Sequence, residues 1–261
     1  MTAEAGAIEA RNLSKRYGDV QAVDAISFSV ARGEVVGFLG PNGAGKTTTM
    51  RMLTGFLPAT DGTAVIDGHD IFDDPLKARR AVGYLPESPP LYPEMSVEGY
   101  LRYVTRIKDV PRARRAEAVD RAIERCGLVE VRRRVIGALS KGYRQRVGLA
   151  QAIVHDPLVL ILDEPTVGLD PIQIQEIRGL IADLVTPASG HAGHAVILST
   201  HILPEVEAIC RRVVMIHRGS KVLDQPLAEL TGSGQSLEQV FIRATASDAA
   251  ARAAATEEAG Q

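Results

Sequence analysis

Apolar and polar positions alternate between Ile8 and Val30 and predict two short β segments, Ile8–Tyr17 and Val23–Val30, the second carrying the Ile26, Phe28 and Val30 series. Gly33 turns the chain, and the apolar run Val35–Leu39 leads into a glycine-rich loop. Thr47–Leu53 has helical character and stops at Gly55. Thr63–Ile66 and Val82–Leu85 read as further strands, with a short helix at Pro75–Ala81 that places proline in its first turn.

From Ser96 to about Leu139 the period changes to helix throughout, with Leu101, Val104, Thr105 and Lys108 on one face and Ala118, Ala122 and Arg125 on another. Helix Gly142–Val154, the wholly apolar strand Leu158–Leu162, helix Ile172–Val185 and strands Ala195–Ser199 and Val213–Ile216 follow. Ser236–Ala244 closes the pattern as a short amphipathic helix. Strands alternating with helices imply an α/β fold around a largely parallel sheet covered on both faces. The expected organisation is one domain over residues 1–244, with a helical subdomain inserted at about 88–156 and an Ala-rich, disordered tail at 245–261.

Composition narrows the partners. A chain of 261 residues with 45% hydrophobic and 24% charged residues can bury a full core, and its net charge of -2 gives no global positive field for nucleic acid or anionic lipid. Arg112, Arg114, Arg115, Arg121, Arg125 and Arg132 to Arg134 form a dense cluster, but Glu117, Asp120, Glu124 and Glu130 interleave it at helical spacing, as on a solvated face. Cys126 and Cys210 lack metal-ligand spacing and read as buried or idle thiols. The N-terminus has no signal-peptide pattern. The best apolar runs, Val147–Val154 and Leu158–Leu162, are broken by His155, Asp156 and Pro157, so the chain is not expected to cross a bilayer by itself.

Two motifs carry chemistry. GPNGAGKTT spans Gly40, Pro41, Asn42, Gly43, Ala44, Gly45, Lys46, Thr47 and Thr48 between an apolar strand and a helix. Its glycines let backbone N–H groups turn toward phosphate oxygens, and the helix N-terminus adds partial positive charge. Lys46 then reaches the β and γ phosphates, the Thr47 hydroxyl ligates Mg2+, and Thr48 bonds the α phosphate. LVLILDEPT, Leu158–Thr166, ends an apolar strand in two carboxylates, at the edge where open α/β sheets bind ligands. Asp163 is placed to hold Mg2+, and Glu164 to polarise a water in line with the γ phosphate. A strand ending in Asp-Glu before proline is by itself a common turn, and the phosphate loop gives it weight.

With LSKGYRQR, Leu139–Arg146, added to these motifs, the sequence resembles an ABC transporter nucleotide-binding domain from about Ile8 to Ala244. That resemblance implies a P-loop ATPase fold with a RecA-like core, a small antiparallel β lobe and a helical subdomain. It implies that Ser140 and Gly142 close on ATP held by a second ATPase chain, that Tyr17 stacks on adenine, that Gly168, Leu169 and Asp170 carry signals across the dimer, and that His201 contacts the γ phosphate. Glu87 stands where the family usually has a glutamine that touches Mg2+ and the attacking water, and Lys141 and Tyr143 depart from the family's LSGGQ pattern.

The resemblance implies ATP and Mg2+ as cofactors, and an integral membrane permease and a second ATPase subunit as partners. The expected place is the cytoplasmic face of the membrane, bound peripherally, with no nucleic acid partner. GYLPE with SPPLYPEMSVEGYL, and the terminal SLEQVFIRAT, are similar to type-2 exporter subunits of the gliding-motility, drug-export and copper-processing kinds. The rival expectations are a soluble ABC ATPase acting on nucleic acid or ribosomes, whose usual second cassette, coiled coil or zinc motif is missing here, and a non-hydrolysing regulatory module. The joint presence of Lys46, Asp163, Glu164 and His201 argues against the latter.

Overall fold

In the computed structural model, residues 6–185, 193–232, 234–246 and 248 are described. The chain runs through β1 (Ile8–Tyr17), β2 (Val20–Val30), β3 (Val35–Leu39), α1 (Lys46–Leu53), β4 (Asp61–Ile66), β5 (His69–Asp70), α2 (Pro75–Arg80) and β6 (Val82–Leu85). It continues as α3 (Val97–Ile107), α4 (Arg115–Arg125), α5 (Lys141–Ile153), β7 (Val159–Asp163), α6 (Pro171–Val185), β8 (Ala195–Thr200), α7 (Leu203–Ile209), β9 (Arg212–His217), β10 (Ser220–Pro226) and α8 (Leu227–Thr231). A last helical stretch covers 237–246.

Two sheets result. A four-stranded antiparallel sheet has the order β2-β1-β4-β5, and a six-stranded sheet has the order β10-β9-β3-β8-β7-β6. In the larger sheet β9, β3, β8, β7 and β6 are parallel, and β10 pairs antiparallel with β9 at the edge. This is the α/β architecture that the alternation of elements implied, with a separate antiparallel lobe.

The parallel strands are apolar without a break because both faces are covered. Successive residues go to opposite cores. Leu160, Leu162, Val196, Leu198, Val213 and Met215 join the helices α3 to α7 on one face. Val159, Ile161, Ala195, Ile197, Val214 and Ile216 meet α1 and the antiparallel lobe, through Met50, Leu53, Ile8, Leu13 and Ile26, on the other.

Several boundaries differ from the sequence pattern for identifiable reasons. The first hairpin turns through Gly18, at φ 55°, and Asp19, so pairing resumes at Val20 rather than Val23. The helix expected throughout 96–139 exists only as α3 and α4, with single 3-10 turns at Arg112–Arg114, Val129–Val131 and Ile136–Ala138. Asp109 and Gly127 take positive φ at the two breaks, and Pro111 follows the first. The short elements β5, α7, β10 and α8 have too few residues, or too mixed a burial, to show a period. The expected tail begins later than residue 245, since the helical stretch reaches 246 and Asp248 Oδ2 lies 2.6 Å from His217 Nδ1. The expectation of disorder over 249–261 falls outside the described residues.

Both cysteines are free and buried, and burial pushes each thiol up to about 12. Among the described residues no helix is long and apolar enough to cross a membrane. Most of the arginine cluster is exposed, as the interleaved charges suggested. Arg132 is different. Its guanidinium donates to Glu98 at 2.8 and 3.0 Å and pairs with Asp120 at 2.7 Å, while Val97 and Glu98 donate their backbone N–H groups to the carbonyls of Arg134 and Arg132. The segment 132–135 thus closes the open N-terminus of α3.

Hydrogen bonds from Arg132 hold the Glu98 carboxyl down to about 2. A depressed carboxylate stabilises the fold above its unfolded value, near 4.3, and loses that contribution as pH falls toward 2. Glu98→Gln is therefore expected to cost about 1–2 kcal/mol at neutral pH. In urea unfolding, the gap between variant and wild type should close as the pH is lowered through that window.

Candidate active site

The glycine-rich loop is built by close approach. Gly40 is buried, and a Cβ on it would stand 2.5 Å from the Ile216 carbonyl oxygen. Gly43 and Gly45 have φ of 78° and 102°, and a Cβ on Gly45 would meet the Ala22 carbonyl oxygen at 2.6 Å. The turn between β9 and β10 grips the same loop, because Gly219 N–H donates to the Ala44 carbonyl at 3.0 Å while its own carbonyl accepts from Asp24 N–H at 2.8 Å. The loop is clamped between β2 and that turn. α1 starts at Lys46 with no side-chain cap, so its first amides remain free to meet an anion.

In front of the loop lies an open cleft of about 510 Å³ at the C-terminal ends of the parallel strands. The loop supplies Asn42, Gly43 and Gly45 to Thr48, the turn after β6 supplies Glu87, β7 is followed by Glu164 and Val167, β8 by His201, and β2 contributes Ala22. A larger recess of about 630 Å³ sits at the opposite ends of β6 and β7, bordered by Lys108 and His155. There burial drives the His155 imidazole down to about 3, so it is neutral, and the phosphate loop lies at the other end of the strands.

Asp163 ends β7 with 0% exposure, and neither of its carboxylate oxygens has a hydrogen-bond partner of good geometry among the described residues. Burial raises its pKa, the charges of Glu164 and Glu87 add to that, and the neighbouring hydroxyls of Ser199 and Thr47 oppose it. An unpartnered buried carboxylate beside a threonine hydroxyl suits the hard oxygen coordination of a divalent cation.

Glu164 is 6% exposed and left-handed at φ 50°, a backbone state that costs a side-chain-bearing residue roughly 1–2 kcal/mol. Its N–H donates to the Ser199 carbonyl at 2.8 Å and its carbonyl accepts from Val167 N–H at 3.2 Å, which fixes the turn. The carboxylate then meets two groups: His201 Nδ1 lies 3.0 Å from both oxygens, and Lys46 Nζ lies 3.6 Å from Oε1. Lys46 Nζ also donates to the carbonyls of Gly40 at 2.8 Å and Pro41 at 3.3 Å. A carboxylate so placed can accept a proton while the histidine orients it.

Other residues singled out from sequence lie apart. Tyr17 is 48% exposed at the tip of β1, with Lys15 Nζ 5.4 Å from its ring centre, and it does not line the cleft. Ser140 caps α5, accepting from Tyr143 N–H at 3.3 Å, and neither it nor Gly142 borders the cleft of its own chain. Glu87 does border it and is exposed. Sequence reasoning missed Ala22 and Val167, and it missed the buried Glu205 of α7, whose only sequence signal is a carboxylate four positions after His201.

Comparison with known proteins decides the family, since the ABC transporter family model matches residues 23–167. The chain belongs to the ABC transporter family. It is an ATP-binding subunit of an ABC transporter, an ATPase whose hydrolysis of ATP drives transport. The ABC transporter ATP-binding protein YhcH of Bacillus subtilis is 41% identical over 218 residues, 83% of this chain and 68% of that one. The bacitracin transport ATP-binding protein BcrA of Bacillus licheniformis is 37% identical over 223 residues, 85% of this chain and 71% of its own. Among solved structures, an ATP-binding subunit of an ABC transporter superposes with a TM-score of 0.81 at 29% identity, covering 91% of this chain and 99% of that one. CbiO1 from Clostridium perfringens, part of the ABC transporter complex cbiONQ, gives a TM-score of 0.78 at 28% identity over 92% and 96%. ABC ATPase subunits of this kind work with membrane permease components.

The contact of Gly45 with Ala22 gives a direct test. Gly45→Ala must move either the loop or β2 and must hold an L residue at φ 102°. Affinity for ATP, followed by titration with a fluorescent analogue, should fall at least about tenfold, with a smaller loss of thermal stability.

Proposed function

We propose that this ABC transporter subunit is the motor of an exporter, hydrolysing magnesium-ATP in a head-to-tail pair of ATPase chains at the cytoplasmic face of a membrane. One observation carries the reading of the centre: Glu164, His201 and Lys46 meet within 3.0 to 3.6 Å where the phosphate loop and the end of β7 face one cleft. The export reading is supported by relatives that include BcrA and, at 35% identity over 243 residues, the probable multidrug ABC transporter ATP-binding protein YbhF of Escherichia coli, of which the chain covers 41%.

The loop amides from Gly43 to Thr48 and the Lys46 ammonium bind the phosphates, and Tyr17 offers its exposed ring to adenine. Thr47, Asp163 and Glu87 are the residues that would hold Mg2+, which when bound neutralises charge on the phosphates. Glu164 takes the proton of the attacking water, and His201 keeps the carboxylate turned toward it. Ser140 and Gly142 lie outside their own cleft, which supports their use on the ATP of the second chain, where the start of α5 would add a helix N-terminus to the phosphates. The helical segment at about 88–156, with the exposed Tyr92 and Tyr103 packed edge to face at 5.6 Å, is the surface offered to the permease.

Glu164→Gln is expected to bind ATP with near wild-type affinity, to lose about a hundredfold or more in hydrolysis, and to elute as a dimer when ATP is present. Hydrolysis at the wild-type rate would remove Glu164 as the base. Glu87→Gln should shift the Mg2+ concentration needed for half-maximal hydrolysis; an unchanged magnesium profile would take Glu87 out of the centre.

A further inference from the structure

Behind the cleft a third carboxylate is buried, and none of the roles above employs it. Glu205, in the first turn of α7, is 1% exposed. The Thr166 hydroxyl donates to its Oε1, and the Thr200 hydroxyl donates to its Oε2 at 3.1 Å. Both threonines are buried as well. Thr166 lies two residues after Glu164, and Thr200 immediately precedes His201. The two oxygens of one side chain therefore tie together the loop that carries Glu164 and the loop that carries His201.

The tie continues outward on both sides. Thr200 Oγ1 also accepts from Ile202 N–H at 3.1 Å, which fixes the backbone on the far side of His201. Thr166 accepts from Leu169 N–H through its carbonyl at 3.2 Å, which closes the turn that leads to Asp170. Arg178 of α6 brings Nη2 to 4.0 Å from Glu205 Oε1, and its buried Nε has no hydrogen-bond partner among the described residues. A carboxylate near the start of a helix commonly serves only as a cap. Glu205 does something a cap does not, because it reaches across to a hydroxyl that follows a different strand.

We propose that Glu205 is a positioning residue for hydrolysis: by holding Thr166 and Thr200 it fixes the separation of Glu164 and His201, and so it sets turnover rather than ATP affinity. The proposal rests on Glu164 being the base. Glu205 lies outside the cleft lining, so its effect on nucleotide must pass through those two loops. A small displacement of a catalytic group is enough to slow a reaction strongly while the binding surface, here the clamped phosphate loop, keeps its shape.

The test compares kcat, KM for ATP and nucleotide affinity in the full chain for wild type, Glu205→Ala and Glu205→Gln, with Glu164→Gln measured alongside. Glu205→Ala should lower kcat by about ten- to a hundredfold, with KM and affinity changed less than about twofold. Glu205→Gln, which keeps the size and one acceptor oxygen, should recover most of the lost rate. A folded Glu205→Ala chain with kcat within twofold of wild type overturns the proposal. So does a variant whose affinity falls in step with its rate, since that is general damage to the site. If Glu205→Ala does not fold, Thr166→Val decides, because it removes the bridging hydroxyl and leaves the carboxylate: a clear fall in kcat at constant KM supports the tie, and a wild-type kcat overturns it. Full hydrolysis by Glu164→Gln would defeat the base assignment and the positioning role with it. Loss in Glu164→Gln with normal rates in the Glu205 and Thr166 variants defeats the positioning role alone.

Discussion

Burying two adjacent carboxylates at the end of a central strand carries a heavy desolvation cost, and the architecture around the cleft is arranged to meet it. Asp163 and Glu164 have 0% and 6% exposure, and Lys46 is the lysine within ion-pair distance of Glu164 among the described residues. The parallel register brings that cation there. Leu39, the last residue of β3, pairs with Thr200, while Asp163 of β7 pairs with Ser199. The loop after β3, the carboxylates after β7 and the histidine after β8 therefore emerge at one level. A slip of one residue between β7 and β8 would turn every side chain of the strand to the other face and separate the three.

Such precision needs a stiff support, and the two cores provide it. Each central strand sends alternate residues to the helical face and to the face shared by α1 and the antiparallel lobe, so no strand can shift without disturbing packing on both sides. Left-handed positions lie at the cleft itself. Glu164 is left-handed and Gly45 stands at φ 102°, the first one residue beyond β7 and the second one residue before α1. The lobe supports the phosphate loop largely through backbone: Ala22 of β2 limits the loop by its carbonyl, and Asp24 holds the Gly219 turn that in turn holds Ala44.

What could be read from the sequence follows from which interactions are local. β3, its loop and α1 announce themselves because the apolar run, the glycines and the lysine are consecutive, and β7 does so because a strand buried on both faces admits nothing polar until its end. The stretch 126–139 misleads, since its charges keep a helical rhythm while Gly127 at φ 61° breaks the backbone. The partners of Arg132 could not be foreseen, because a long cationic side chain on a mixed-charge segment gives no hint that it will close the start of α3. For the same reason the contact of His201 with Glu164, 37 residues away, and that of Glu205 with Thr166, 39 residues away, belong to the fold and not to any pattern along the chain.

Gly142 meets a neighbour inside its own chain as well as the one that its resemblance to a family glycine implies. A Cβ there would stand 2.8 Å from the end of the Gln173 side chain, at the start of α6, and that side chain would have to turn aside. Lys141, one residue earlier, lies across Gly168, in the turn that follows Thr166. The start of α5 thus rests on the segment that joins β7 to α6, and that segment is joined through Thr166 and Glu205 to the loop of His201. Contiguity is not coupling, which requires an element with two states that both ends bias. What the contacts give is one continuous path, from the α5 start across residues 164–169 to Glu164 and, through the buried Thr166 and Glu205, to the loop of His201.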